Sequence, residues 1–364
     1  MVDPQRRGDG AVPVIPGRFY FTLADRDFKD TADTHYFRTD GVLIYEGFYH
    51  DFGPLNLSQL YRFCKLLQDK LAAPELKGKS IVYYSSKRSP EDSSNSAWLV
   101  GGYLICVEGK SAAEATAVIA QLERPPFIPF RDASQGRCTF AITLEDCFRG
   151  LFVAKRDRFF DFSNFNPDEY EFYERVENGD FNEISDKFIA FSGPSARKTE
   201  ICQGVYTKIP RDYFELWRAR NVTAIVRLNK KIYDSRDFVE AGFNHYDLYF
   251  LDGSVPPPAI AARFLQICDI EKGCVAVHCK AGLGRTGTLI GLWVMRQYRW
   301  TAKEFIAWNR IVRPGSIIGP QQYYLADNEK KMWAEGDRNR ATIGKKAISV
   351  ASLGEDSFKS LNVS

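Results

Sequence analysis

Apolar residues fall into two alternating stretches along this chain, with an acidic segment between them. In residues 17–154, short apolar runs at 42–45 and 80–84 have the length and β-branched or aromatic content of strands, whereas at 57–71 and 97–107 the apolar positions recur every three to four residues, as one face of a helix requires. The breaker Arg124-Pro125-Pro126-Phe127 interrupts this first stretch. At Asn166-Pro167-Asp168-Glu169 the order of Asn cap, proline at the first helical position and acids in the first turn predicts a helix start, ended by Gly179. Alternation resumes at Phe188, with strands at 224–228, 245–251 and 274–277 and helices at 257–268 and 285–298. Thr301-Ala302-Lys303-Glu304 reads as a capping box opening the next helix, and a last helix is predicted over 320–333. Strands alternating with helices predict α/β architecture.

A faint internal repeat suggests two similar units. Ile81-Val82-Tyr83-Tyr84-Ser85, followed by Ser94-Asn95-Ser96-Ala97-Trp98-Leu99, parallels Val275-Ala276-Val277-His278-Cys279, followed by Gly284-Arg285-Thr286-Gly287-Thr288-Leu289. Ser85 stands where the second copy has Cys279, and the first copy lacks the arginine; the same succession also describes any strand, loop and helix. The length of 364 residues suits about two domains. With 45% hydrophobic and 26% charged residues the chain has the material for a core. A net charge of +3 argues against a general nucleic-acid or membrane surface, so charge effects must be local. No apolar run is long enough to span a bilayer, and residues 1–16, with Arg6 and Arg7, lack the apolar centre of a secretory signal. The eight cysteines show no Cys-x-x-Cys spacing, which favours a reducing compartment; Cys64, Cys106, Cys147, Cys268 and Cys274 have apolar neighbours and read as small buried hydrophobes.

The chemistry concentrates in His278-Cys279-Lys280-Ala281-Gly282-Leu283-Gly284-Arg285-Thr286-Gly287. A strand precedes this loop and a helix follows it. Glycines at 282, 284 and 287 allow a tight turn whose N–H groups, from Lys280, Ala281, Gly282, Leu283, Gly284 and Arg285, converge with the positive end of the helix dipole into a phosphate cradle. The Arg285 fork can pair with two phosphate oxygens. Helix N-termini and neighbouring cations favour the thiolate form of a cysteine, which makes Cys279 the candidate nucleophile. Thr286 is placed to hydrogen-bond the sulfur, and His278 to hold the loop rather than act as a base. The nucleotide P-loop is a poor alternative, because no Gly-x-x-x-x-Gly-Lys-Ser/Thr pattern occurs. The four histidines are dispersed, so no metal site is expected, and no cofactor.

On these residues the loop resembles the protein tyrosine phosphatase superfamily, with its His-Cys-x5-Arg-Ser/Thr signature. An alkoxide leaving group then needs a proton, and Asp252, in Leu251-Asp252-Gly253-Ser254-Val255-Pro256 at the end of a predicted strand, suits a general acid on a movable loop. The loop continues Pro257-Pro258, rich enough in proline to stiffen closure. Together with Arg313-Pro314-Gly315-Ser316-Ile317-Ile318-Gly319-Pro320-Gln321-Gln322, Val226-Arg227-Leu228-Asn229, Glu177-Asn178-Gly179-Asp180-Phe181-Asn182 and Asp51-Phe52-Gly53-Pro54-Leu55-Asn56, the chain from Gly17 to Trp333 resembles the cell-division-cycle-fourteen phosphatases.

That resemblance implies two tandem dual-specificity-phosphatase-like domains, each a central sheet flanked by helices, joined by a helical linker. The expected layout is a flexible leader at 1–16, an N-terminal domain without a nucleophile at 17–160, an acidic linker at 161–185, a catalytic domain at 186–335 and a disordered polar tail at 336–364. It implies Cys279 as nucleophile, Arg285 as phosphate binder, Asp252 as acid, and Gln321 or Gln322 as the residue positioning the hydrolytic water. It further implies phosphoserine-proline substrates with a downstream basic residue, products of cyclin-dependent kinases, received by Glu171, Glu174 and Asp180. A nuclear and cytoplasmic location is expected on the same ground, including centrosome, spindle or basal body, although the tail lacks a lysine-rich run. The rival reading is a phosphoinositide phosphatase of the phosphatase-and-tensin type, which shares His-Cys-Lys-Ala-Gly but favours a second lysine where Leu283 stands. A phosphopeptide-binding pseudoenzyme is the reading from outside enzymology.

Overall fold

Two sheets, each opened by a hairpin, organise the computed structural model, which describes residues 10–122 and 127–359. The first sheet comprises β1 (Val12–Ile15), β2 (Phe19–Ala24), β3 (Thr34–Phe37) and β4 (Ser80–Ser86) in the order β1-β2-β4-β3, with only the hairpin pair antiparallel. The second comprises β5 (Phe181–Ser185), β6 (Phe188–Phe191), β9 (Val222–Arg227), β10 (Asn244–Asp247) and β11 (Cys274–His278) in the order β10-β9-β11-β6-β5. A two-stranded ribbon, β7 (Glu200–Cys202) and β8 (Val205–Tyr206), stands apart. If β5, β6, β11 and β9 are set against β1, β2, β4 and β3, the two orders coincide, and the second unit adds β10. The repeat is therefore one of topology.

The helices are α1 (Leu57–Ala72), α2 (Pro90–Cys106), α3 (Ala112–Ile119) and α4 (Leu144–Arg156) in the first unit and α5 (Pro167–Glu174) in the linker. The second unit has α6 (Phe214–Ala219), α7 (Arg236–Glu240), α8 (Pro258–Ile270), α9 (Gly284–Tyr298), α10 (Ala302–Val312) and α11 (Pro320–Lys359). Caps set their starts as expected. Asn166 Oδ1 accepts from the N–H groups of Asp168 and Glu169, and Thr301 with Glu304 forms the capping box of α10. β11 is buried at all five residues, as the centre of a mostly parallel sheet requires.

The units share one core. A continuous buried cluster runs from Phe19 and Phe63 through Trp98, Phe148 and Phe160 to Trp308, Phe305 and Val277. At its centre α4 lies so close to α10 that a Cβ at Gly150 would stand 2.7 Å from the Glu304 carbonyl oxygen. Tyr170 of the linker donates to the Val312 carbonyl at 2.5 Å, and Trp300 Nε1 donates to Asp157 at 2.6 Å.

Several boundaries differ from the expectation. Residues 12–15 of the supposed leader form β1, because Val12 and Val14 alternate into the core. Residues 181–185, assigned to the linker, are the edge strand β5, whose Phe181 and Ile184 are buried. The run 42–45 is no strand: it follows a turn at Gly41 and leaves Val42 77% exposed. The last helix does not stop near 333 but continues to Lys359, so residues 336–359 are helical rather than a disordered tail; 360–364, like residues 1–9 of the expected leader, lie outside the described residues. Gly336 lets it pass the end of α9, where a Cβ would meet the Arg296 carbonyl oxygen at 1.9 Å, and Arg340 donates to the Gln297 carbonyl at 2.9 Å. Arg124, Pro125 and Pro126 of the expected breaker lie outside the described residues.

Candidate active site

The loop 279–284 leaves β11 and enters α9, and its surroundings force the tight path. Gly282 adopts φ +68°, and a Cβ there would lie 2.0 Å from the Phe191 carbonyl oxygen at the end of β6. Behind the loop Arg313 draws the carbonyls backwards: Nε donates to Gly282 O at 3.0 Å and Nη2 to Ala281 O at 2.8 Å. Gly193 N donates to Lys280 O at 3.0 Å. Peptide carbonyls committed to these outer donors leave the opposed N–H groups free to converge on an anion.

Cys279 is 3% exposed and Arg285 equally so. Arg285 Nη1 donates to the Phe250 carbonyl at 3.0 Å, which ties the arginine to the start of the acid loop, and Nη2 lies 3.1 Å from Asp252 Oδ1. Arg285 Nε and Thr286 Oγ1 are buried with no hydrogen-bond partner among the described residues. Such donors are costly to leave unmade, and here they are available to a phosphoryl group and a thiolate. Asp252 is the exposed member, at 66% of its side chain, on a loop whose Gly253 takes φ +71°. Of the prolines beyond it, Pro257 caps α8 and Pro258 is its first residue, so they build a helix entry and leave 252–255 as the loop.

The two glutamines separate. Gln321 Nε2 donates to Ser254 O in the acid loop at 3.1 Å, and a Cβ on Gly284 would meet its Oε1 at 2.6 Å. Gln321 therefore bridges the acid loop and the cysteine loop. Gln322 points elsewhere, accepting from Arg310 at 2.7 Å and donating to Asp132 of the first unit at 3.1 Å.

His278 is fully buried, and burial pushes its pKa down to about 3. The neutral ring donates from Nδ1 to the Cys279 carbonyl at 3.0 Å, so Nε2 must accept from Tyr233 Oη at 2.8 Å. Tyr233 in turn meets His245 Nε2 at 2.9 Å, and Arg227 lies over its ring at 4.5 Å from the centroid. This chain fixes the peptide after the strand and offers no base.

The acidic residues converge only in part. Glu171 is paired with Arg62 at 2.8 Å and accepts from Ser58, and Asp180 is paired with Arg313 at 2.8 Å. Glu174 makes no ion pair among the described residues; it lies 3.2 Å from Tyr170 Oη, whose proton points to the Val312 carbonyl, and accepts from Asn56 at 3.4 Å. Burial raises its pKa to about 7, against the opposing pull of Arg313, with Asp180 and Glu46 adding repulsion. Glu46 comes from the first unit, and nothing in the linear sequence ties it to position 174. At the end of β4, where the first unit's counterpart loop begins, Ser85 Oγ at 2.8 Å and Ser86 N at 3.0 Å both donate to Asp40, which follows β3, so these donors are committed to a carboxylate.

Residues 13–154 match the family model "Dual specificity protein phosphatase, N-terminal half", and residues 202–299 match "Polymorphic toxin system, DSP-PTPase phosphatase". The chain is 48% identical to human dual specificity protein phosphatase CDC14A over 345 residues, covering 94% of this chain and 58% of the relative. Against human dual specificity protein phosphatase CDC14C it is 46% identical over 344 residues, covering 94% and 76%. The tyrosine-protein phosphatase cdc-14 of Caenorhabditis elegans is 42% identical over 337 residues, covering 90% and 47%. The chain thus spans a little over half the length of human CDC14A.

Proposed function

The chain belongs to the CDC14 family of dual specificity phosphatases, and from that membership we propose that it hydrolyses phosphate monoesters on proteins, opposing cyclin-dependent kinases at phosphoserine-proline sites. The observation that carries this reading is the convergence of Cys279, Arg285, Asp252 and Gln321 on one loop mouth. The Cys279 thiolate attacks phosphorus while Arg285 and the loop N–H groups hold the phosphoryl oxygens, and Asp252 gives its proton to the departing seryl or tyrosyl oxygen. Thr286 hydrogen-bonds the sulfur. Gln321, the glutamine beside the loop, holds the water that hydrolyses the phosphoenzyme. Glu174, with Glu171, Asp180 and Glu46, forms the negative wall that meets a basic substrate residue. The first unit contributes Glu46 to this wall and no second active centre, which the pairing of Ser85 and Ser86 with Asp40 supports.

The test compares a phosphoserine-proline peptide carrying a downstream lysine, the same peptide with alanine after the phosphoserine, and a soluble phosphoinositide. The expected result is the highest kcat/KM on the first and loss of all turnover in Cys279→Ser. A phosphoinositide rate above the peptide rate would overturn the reading.

A further inference from the structure

The loop that carries Gln321 is held by a residue of the other unit. Asp132 belongs to the first unit and is 2% exposed. Bridges of Phe52 to Arg131 and of Phe130 to Ile142 fix its backbone, and Arg131 donates to the Ser134 and Gly136 carbonyls, both at 3.0 Å. Its Oδ2 accepts from Gly319 N at 2.6 Å and from Gln322 Nε2 at 3.1 Å. Gly319 is the residue before Pro320, where α11 begins, so this carboxylate sits at the positive end of the helix whose second residue is Gln321. The far side of the loop is held by Arg310, itself buried, which donates to Ser316 O at 3.0 Å, Ile317 O at 2.7 Å and Gln322 Oε1 at 2.7 Å. Ile317 is kept at φ +59°, a backbone that a β-branched residue adopts only under constraint. The loop is therefore clamped between a cation of its own unit and an anion of the other.

We infer that Asp132 is a positioning residue for phosphoenzyme hydrolysis, setting the start of α11 and thereby the place of Gln321 against the cysteine loop. This inference rests on Gln321 as the water-holding residue. In that step a water oxygen bonds to phosphorus as the S–P bond breaks. The S–P electron pair returns to Cys279 as thiolate, the water proton passes to the Asp252 carboxylate, and inorganic phosphate leaves. Formation of the phosphoenzyme does not use Gln321 and is not affected through it.

The experiment is stopped-flow hydrolysis of p-nitrophenyl phosphate by the full chain, with trapped phosphoenzyme measured by acid quench. In Asp132→Ala the first turnover keeps its rate, while nitrophenolate shows a burst approaching one equivalent and kcat falls by about ten- to a hundredfold, the scale of a misplaced catalytic group. Asp132→Asn, whose amide oxygen can still accept from both donors, restores kcat. Gln321→Ala gives the same burst, and the double variant is no slower than Gln321→Ala. A burst in Gln321→Ala without one in Asp132→Ala overturns the inference alone. No burst in either overturns the role of Gln321 and the inference with it. If Asp132→Ala does not fold, Gln322→Ala, which removes one of the two donors, carries the same expectation.

Discussion

Asp252 is the most exposed member of a site whose other members are buried, and that contrast defines its test. Its contact with Arg285 at 3.1 Å places the carboxyl at the loop mouth, where the leaving oxygen of the proposed reaction would depart. Asp252→Asn keeps the size and removes the proton. Hydrolysis of a phosphoserine peptide should then fall by about 10²–10⁴, the usual contribution of a general acid, with a much smaller loss on p-nitrophenyl phosphate, whose leaving group hardly needs protonation. Equal losses on both substrates would place the acid elsewhere. At this scale placement is the most legible part, because Cys279 to Arg285 form one contiguous loop and Asp252, singled out by its Gly/Pro surroundings, lies 3.1 Å from Arg285. Residues recruited across the fold were not legible. Asp132 stands 187 positions from Gly319, and Arg313 was part of a quoted motif without any sign that it would hold the loop carbonyls from behind.

Helix starts were readable where a cap was recognised, since a cap and its partners lie within one turn; α2, expected from 97, begins instead at Pro90 behind the Ser89 cap. Asn166 and Thr301 each accept from the N–H groups that follow them. Strand edges depend on distant partners: 42–45 has strand composition but no strand to pair with, and β10 ends at Asp247 rather than near 251. The packing of α4 on α10 was equally hidden, resting on the absence of a side chain at Gly150. Gly150→Leu would drive a side chain into the Glu304 carbonyl and the Trp308 amide, at 2.7 and 3.0 Å from its Cβ. The helices must part, and overpacking of this kind costs about 1–3 kcal/mol. Urea unfolding should show a lowered midpoint, and because α10 leads into the 313–322 loop, kcat should fall with it. An unchanged midpoint would mean that the two units are not held together along these helices.

At the scale of the whole molecule the acidic wall forms where two units and a linker meet, and its charge turns on Glu174. Arg62 and Arg313 neutralise Glu171 and Asp180, which leaves Glu174, of these three, with no ion pair among the described residues. Around it stand Tyr170 from the same helix, Asn56 at the start of α1, Arg313 from the loop after α10, and the like charges of Asp180 and Glu46. Burial lifts its pKa from the usual carboxylate range to about 7, so between pH 6 and 8.5 the wall gains most of a negative charge while a lysine on the proposed substrate stays protonated. Preference for a peptide with a downstream lysine over its neutral counterpart should therefore rise with pH, by up to about fivefold for a charge pair worth roughly 0.2–1 kcal/mol, and should weaken with added salt. Using the ratio of two peptides removes the titration of the shared phosphate. Stability runs the other way: a folded-state pKa raised from 4.5 to about 7 contributes stability below the lower value that is lost as pH rises through the upper one. Glu174→Gln should accordingly be more stable than the parent at pH 8 and should hold the lysine preference flat at its low-pH level. A variant whose preference still climbs with pH would show that another group supplies the charge.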